Sequence, residues 1–264
     1  MIFEPACTSK RFAILFLLIS NTIWAQNPNG SSYLSVSYYK VHNRDFESLA
    51  LNVLKPLHQH MVKEGAEVAW YLYKVKLPKG SEIPYHYIGV TVQENWAQVR
   101  ESAEDYLTEV HGEDAATFMD QLEESASMVN LQTYQCLGQA VSPEKKPSNF
   151  IQVNEVKTNA GAENDYVALE LKYFKPFHQA RAAAGIMNNW GLYKRLMPYG
   201  ERFDTDYVTF NGYATWDQIN LQNPPNPWKT VHGELDFNQI HRNILQTRAT
   251  VNNELWELID YIVK

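Results

Sequence analysis

Cysteine is nearly absent: only Cys7 and Cys136 occur in 264 residues. That scarcity excludes a disulfide framework and any cysteine-pair metal or redox motif. No apolar run reaches the ~20 residues a helix needs to cross a bilayer. There is no block of basic residues, and the formal charge is −7. An acidic surface of this kind speaks against nucleic acid and against anionic membranes as partners. Also missing are a glycine-rich phosphate loop, a nucleophile elbow and His-Glu-x-x-His. No metal and no cofactor is expected from any of these signatures.

What is present begins with a leader. Lys10 and Arg11 precede the apolar run Phe12 to Ile19, and Ala25 offers a small residue for cleavage. Residues 1–26 therefore read as a signal peptide, and the mature chain as secreted or periplasmic without a membrane anchor. Cys7 lies ahead of the apolar run, so it cannot serve as a lipid-attachment site after it. Cys136 would then be the single thiol. Its place in an apolar, strand-like run points to a buried and inert side chain.

The rest of the chain is organised around Lys55-Pro56-Leu57-His58-Gln59, which returns as Lys175-Pro176-Phe177-His178-Gln179. Sliding the chain on itself by 120 residues gives 17 identities across the 54 positions from Asp45 to Gln98. Unrelated sequences of ordinary composition would give roughly 3. A second match, Val110-His111-Gly112-Glu113 against Val231-His232-Gly233-Glu234, is one residue out of step. The period is too long for a solenoid and suits two sister units. These are a first repeat over 27–138, a linker over 139–149 and a second repeat over 150–264.

Each copy reads as strand, helix, strand, strand, helix, strand. The first strands are predicted over 33–41 and 150–157, with apolar residues alternating with polar ones. Asp45 and Asp165 are placed to cap the following helices, which run to Gly65 and Gly185, residues suited to a left-handed terminator. Pro56 and Pro176 fall inside those helices, so each should kink, or break and restart. Strands follow over 68–75 and 85–92, and again over 189–195 and 207–213. The copies diverge after Trp96. The first continues as a helix over 97–110, whereas Pro224, Pro225 and Pro227 forbid one over 223–228. Core helices over 113–126 and 234–247 and strands over 129–137 and 250–263 complete the units.

This order makes an α+β fold: two tandem ferredoxin-like βαββαβ units, each an antiparallel sheet with helices on one face. The aromatic residues on the other face also need cover, and two copies can provide it by closing sheet on sheet into one barrel. With its repeated Lys-Pro-x-His-Gln, Gly65, Trp70 and Trp96, the chain resembles the dimeric α/β-barrel superfamily in a fused form. That group includes small monooxygenases and EthD-like and NIPSNAP-like proteins. No haem-peroxidase signature accompanies the resemblance. The leader's end, Trp24-Ala25-Gln26, resembles those of exported proteins of Bacteroidetes-type bacteria.

His58 and His178 are the candidate catalytic residues. Each lies on an apolar helical stripe, His58 with Leu51, Leu54 and Val62, and His178 with Leu171, Phe174 and Ala182. Such an imidazole is either a base facing a cavity or a core histidine held by a backbone carbonyl. His111 with Glu113, and His232 with Glu234, read as metal or acid–base pairs, or as helix entrances. Trp70 and Trp190 lie on one face of their strands and Tyr73 and Tyr193 on the other. With Asn188 and Asn189 they form the candidate ligand-binding set. Lys55 and Lys175 read as solvated.

The function read first is binding of a small apolar or aromatic molecule between sheet and kinked helix, with the second copy roomier because Ala182 and Ala183 replace Val62 and Lys63. One alternative, implied by the resemblance, is a cofactor-independent oxygenase or isomerase using His58 or His178 as base. The other is a structural or interaction protein that docks partners through the proline-rich insert.

Overall fold

A computed structural model describes residues 32–80, 83–99, 103–144, 147–198, 200, 203–221 and 225–264. The leader, Lys145–Lys146 of the linker and 222–224 of the proline-rich insert lie outside the described residues.

The first half runs β1 (Tyr33–Val41), α1 (Phe46–Leu49), α2 (Lys55–Glu64), β2 (Ala69–Leu77), β3 (Tyr87–Gln93), α3 (Trp96–Val99), α4 (Ala103–His111), α5 (Ala115–Ser125) and β4 (Ala126–Val141). The second runs β5 (Phe150–Thr158), α6 (Glu163–Leu169), α7 (Lys175–Ala183), β6 (Asn189–Met197), β7 (Tyr207–Tyr213), α8 (Trp216–Ile219), α9 (Trp228–His232), α10 (Phe237–Thr247) and β8 (Arg248–Val263). The strands close into one antiparallel barrel in the order β1-β3-β2-β8-β5-β7-β6-β4. Within each half the order is the ferredoxin-like one, and the last strand of each half pairs with the second strand of the other.

That double duty sets the length of β4 and β8. Ala126–Gln135 pairs with β1 while Thr133–Val141 pairs with β6, and β8 spans β5 and β2 in the same way. The expected linker is consequently shorter than 139–149, because residues 139–141 are paired strand.

Both prolines are accommodated without a break. A proline in an α-helix lacks the N–H for its own bond and crowds the carbonyl four residues back. In both halves the turn ahead of it widens to π, over Ala50–Leu54 and Glu170–Phe174, and Lys55 and Lys175 donate their N–H to the carbonyls of Ala50 and Glu170. Gly65 (φ 82°) and Gly185 (φ 71°) then end the helices in the left-handed conformation, as the sequence predicts. The aspartate caps are not formed. The Asp45 side chain makes no cap bond, and Asp165 sits inside α6, which starts at Glu163.

The barrel interior is filled by side chains of both halves, among them Tyr38, Tyr73, Tyr134, Tyr193, Phe210 and Trp256. The opposite faces of the strands carry Trp70 and Leu72 against Phe46, Ala50 and Val53 in the first half. Trp190 and Leu192 pack among Tyr166, Phe174 and Trp228 in the second. Lys55, read as solvated, instead pairs with Asp260 of β8 at 2.6 Å.

Candidate functional site

The repeated histidines occupy equivalent places with opposite bonding. His58 stacks on Trp70 at 4.9 Å between centroids and 15° between planes, and His178 stacks on Trp190 at 5.2 Å and 13°. In the first half His58 Nδ1 meets the buried Glu67 carboxylate at 2.9 and 3.1 Å. A carboxylate only accepts, so Nδ1 carries hydrogen and the neutral ring keeps its lone pair on Nε2. In the second half Met187 replaces Glu67, and Arg181 donates to His178 Nδ1 at 3.2 Å. There Nδ1 is the acceptor and the hydrogen sits on Nε2. Burial, and the Arg181 charge after it, push the His178 imidazole down to about 3.

His111 and His232 hold backbone carbonyls of the two π turns. Their Nε2 atoms donate to Val53 O at 3.0 Å and to Tyr173 O at 2.8 Å. A widened turn leaves carbonyls poorly matched to helical donors, and an imidazole at the end of α4 or α9 supplies one. Neither histidine joins His58 or His178, and among the described residues no three His, Cys, Asp or Glu side chains form a cluster that could hold a metal ion.

The proposed ligand-binding residues do not converge on one space. Trp70 and Trp190 lie beneath the helices, whereas Tyr73 and Tyr193 lie in the barrel interior. Asn189 is buried and donates to Ser148 Oγ at 3.1 Å. Asn188 is engaged through its backbone, accepting from Ser142 N–H and donating to Gly212 O, both at 2.7 Å. Aromatic rings crowd the helix that carries His178 in the second half. Trp228, which belongs to helix α9 rather than to an irregular insert, packs on Phe177 at 5.5 Å and on Phe174 at 6.0 Å. Cys136 is half-buried, and burial pushes its thiol up.

A cleft of about 650 Å³ opens instead in the first half, at the end of the same helix–sheet interface. The chain between β1 and α1, the start of α1, and residues of β2 and β3 form its walls. Its floor includes the buried rings of Phe46 and Tyr87, which lie 5.1 Å apart. Glu47 on one wall accepts from Tyr87 Oη at 2.6 Å and from Lys74 Nζ at 3.1 Å. The tyrosine hydroxyl first, then the lysine, hold the Glu47 carboxyl below its usual range. His86 Nδ1 accepts from Val41 N–H at 3.0 Å, so the neutral ring carries its hydrogen on Nε2. Burial and the neighbouring Lys40 and His42 keep it neutral to lower pH than usual.

Three further polar groups escape a reading of the sequence. Glu67 lies within an apolar run and is 4 % exposed. Glu170 is as deeply buried, in the second π turn, where burial pushes it up to about 7 against the opposing pull of Arg248 and of Tyr166. Inside the barrel, Glu254 accepts from Tyr85 Oη, Trp256 Nε1 and Asn252 Nδ2 at 2.7, 2.7 and 3.0 Å. Buried Arg195 lies over the Tyr134 ring nearby, and burial together with Glu254 raises Glu155. Aligning the halves could have flagged two of these, because Glu170 stands opposite Ala50 and Glu67 opposite Met187.

No protein-family profile matches the chain, and no curated protein matches it in sequence. Solved structures do match its fold. A candidate monooxygenase from Fusobacterium nucleatum superposes with a TM-score of 0.57 at 11% identity, covering 89% of this chain and 96% of its own. A candidate monooxygenase from Lactobacillus acidophilus gives 0.53 at 10% identity, with the same coverage of both chains. An anthrone oxidase-like protein gives 0.50 at 7% identity, covering 89% and 93%. The fold is thus that of the dimeric α/β barrels, as the resemblance implies. At these identities the likeness speaks of fold alone.

Proposed function

We propose that the chain is a small-molecule-binding protein whose ligand sits in the first-half cleft. The observation that carries this is the cleft itself. Its volume, about 650 Å³, falls within the range of small-molecule sites, and it joins an aromatic floor to a few oriented polar groups. It opens between the loop after β1, the start of α1 and the strands β2 and β3, and none of the residues singled out from the sequence lines it. A thermal-shift screen of the mature chain with small aromatic compounds tests the reading. Hits should raise the melting temperature of the native protein and not of Ser48→Trp, in which an indole blocks the wall. Hits that stabilise both equally would place the ligand elsewhere.

A second reading, an acid–base enzyme of the cofactor-independent kind, is favoured by the His58–Glu67 pair. A carboxylate on Nδ1 fixes the tautomer and leaves Nε2 free to accept a proton, the arrangement a general base needs. His178, with its hydrogen on the other nitrogen, lacks that support. An activity lost in His58→Ala and strongly reduced in Glu67→Gln, with His178→Ala unaffected, would establish it. Equal loss in both histidine variants would not fit.

We further propose that residues 1–26 direct export. Fractionation of cells making the full chain should find a shortened product outside the cytoplasm, and a full-length cytoplasmic product would contradict this.

A further inference from the structure

The charge of the first-half cleft narrows the chemistry of its ligand, an inference that rests on reading the cleft as a binding site. The chain as a whole carries −7, yet His42, Arg44, Lys74 and His86 gather here against one carboxylate, Glu47. That carboxylate is already engaged by Tyr87 and Lys74, so the one negative group on the walls is saturated. His42 Nε2 is engaged with Ser127 Oγ at 2.8 Å, so Arg44, which lines the cleft, and the His86 ring are what remain for a ligand. The His86 ring presents Nε2–H, since its Nδ1 is taken by Val41 N–H.

The second half shows that the barrel does not require this. Asp206 takes the place of His86 and performs the same backbone task, accepting from Thr158 N–H at 3.1 Å. Asn164 stands for Arg44 and Val167 for Glu47. Lys157 and Lys194, the lysines on that side, pair with Asp206 at 2.9 Å and Glu163 at 3.5 Å. Arg248, the further cation there, lies beside the buried Glu170, so the cation left without a carboxylate on the cleft walls, Arg44, belongs to the first half.

We propose that the cleft takes a small molecule with an anionic, carboxylate-like head and a flat apolar body, the head at Arg44 and His86 and the body on Phe46 and Tyr87. Charge-assisted bonds to guanidinium supply the recognition of the head, and the small accessible part of the floor, with Phe46 2 % and Tyr87 6 % exposed, makes apolar contact with the body the lesser contribution.

The test is calorimetric titration of the mature chain with 1-naphthoate and with 1-naphthalenemethanol, the uncharged analogue of the same shape. The acid should bind at least about tenfold more tightly than the alcohol, and Arg44→Ala should remove about that factor for the acid only. Raising salt should weaken the acid and leave the alcohol unchanged. Equal affinity for acid and alcohol, both abolished by Ser48→Trp, would overturn the anion inference and leave the cleft standing. Binding that persists in Ser48→Trp would overturn the cleft itself. Failure of naphthoate, benzoate and indole-3-acetate alike would overturn the proposal.

Discussion

The two halves keep the same frame and disagree about every buried charge. Both have the π turn before proline, the left-handed glycine, the histidine stacked on tryptophan and the second histidine on the π-turn carbonyl. Yet the first half buries a carboxylate beside its stacked imidazole, at Glu67, and the second buries one inside its π turn, at Glu170. In the barrel the charged residues Glu155, Arg195 and Glu254 all come from the second half, opposite Tyr38, Val75 and Gln132 of the first. The difference teaches that backbone-shaping residues are what holds this duplication together. Polar groups are free to move between equivalent positions, as long as each finds a partner wherever it is buried.

The largest expected effect comes from Glu170, and it sharpens the contrast with Ala50. Its folded carboxyl titrates at about 7, against 4.5 in the unfolded chain. A raised carboxyl contributes its full stability below 4.5 and loses it as pH rises through 7. With 1.36 kcal/mol per unit, the loss is about 3 kcal/mol. Glu170→Gln should remove that slope. Denaturant midpoints of the native chain and the variant, followed from pH 4.5 to 8, check this, and parallel curves would contradict it.

The Glu67 partner is worth nearly as much. Glu67→Met makes the first half match the second and leaves His58 Nδ1–H without an acceptor beneath the helices. A buried donor so stranded costs roughly 2–3 kcal/mol. Urea unfolding of the variant at neutral pH should show the loss. A midpoint equal to that of the native chain would mean the pair adds nothing to the fold.

His178 should act on the acid side, opposite in sign to Glu170. Its folded imidazole titrates at about 3 instead of 6.5, so the unfolded chain takes up the proton first. The stability it contributes is present above 6.5 and is lost as pH falls toward 3. The residue keeps part of its surface in contact with solvent, which screens the effect, so about 2 kcal/mol by pH 4 is expected rather than the full linkage value. His178→Asn should flatten the acid limb of the stability curve relative to the native chain, whereas an unchanged limb would assign acid sensitivity elsewhere.

The frame was legible in the sequence because it is written in residues with one structural use. Gly65, Pro56, Trp70 and their counterparts mark helix ends, a deformed turn and a packed strand, and the 120-residue repeat shows each twice. The site was less legible for two reasons. Trp228 packs on Phe174 and Phe177 from a segment whose prolines point to irregular chain, and only the folded chain shows it as the start of a helix. The cleft at Glu47, Lys74, Tyr87 and His86 is assembled from a loop, a helix start and two strands, in a register that no local spacing encodes. The Asp165 cap failed because the helix begins two residues earlier, at Glu163, and propensity places a first turn only to within a residue or two; Asp45 stands at the predicted cap position, but its backbone is already helical (φ −85°, ψ −14°) where a capping side chain wants an extended one.

The smallest effect lies where the halves meet. Lys55 of the first half reaches Asp260 in β8 of the second, at 2.6 Å, and the matching contact is absent at the other junction. There Gly138 stands opposite Asp260, and its missing side chain leaves room for Leu171 and Lys175, whose atoms would lie 2.5 and 3.5 Å from an added Cβ. The Lys55–Asp260 pair is partly solvated, with side-chain exposures of 36% and 26%, so it should contribute only about 0.5 kcal/mol. A double-mutant cycle of Lys55→Ala and Asp260→Ala, read by urea unfolding, should return a coupling of that size that shrinks further in high salt. The barrel is joined at this seam by the strand pairing of β2 with β8, which does not need the charge. A coupling above about 2 kcal/mol would show instead that this one ion pair fastens the two halves together, and that the seam without it is held differently.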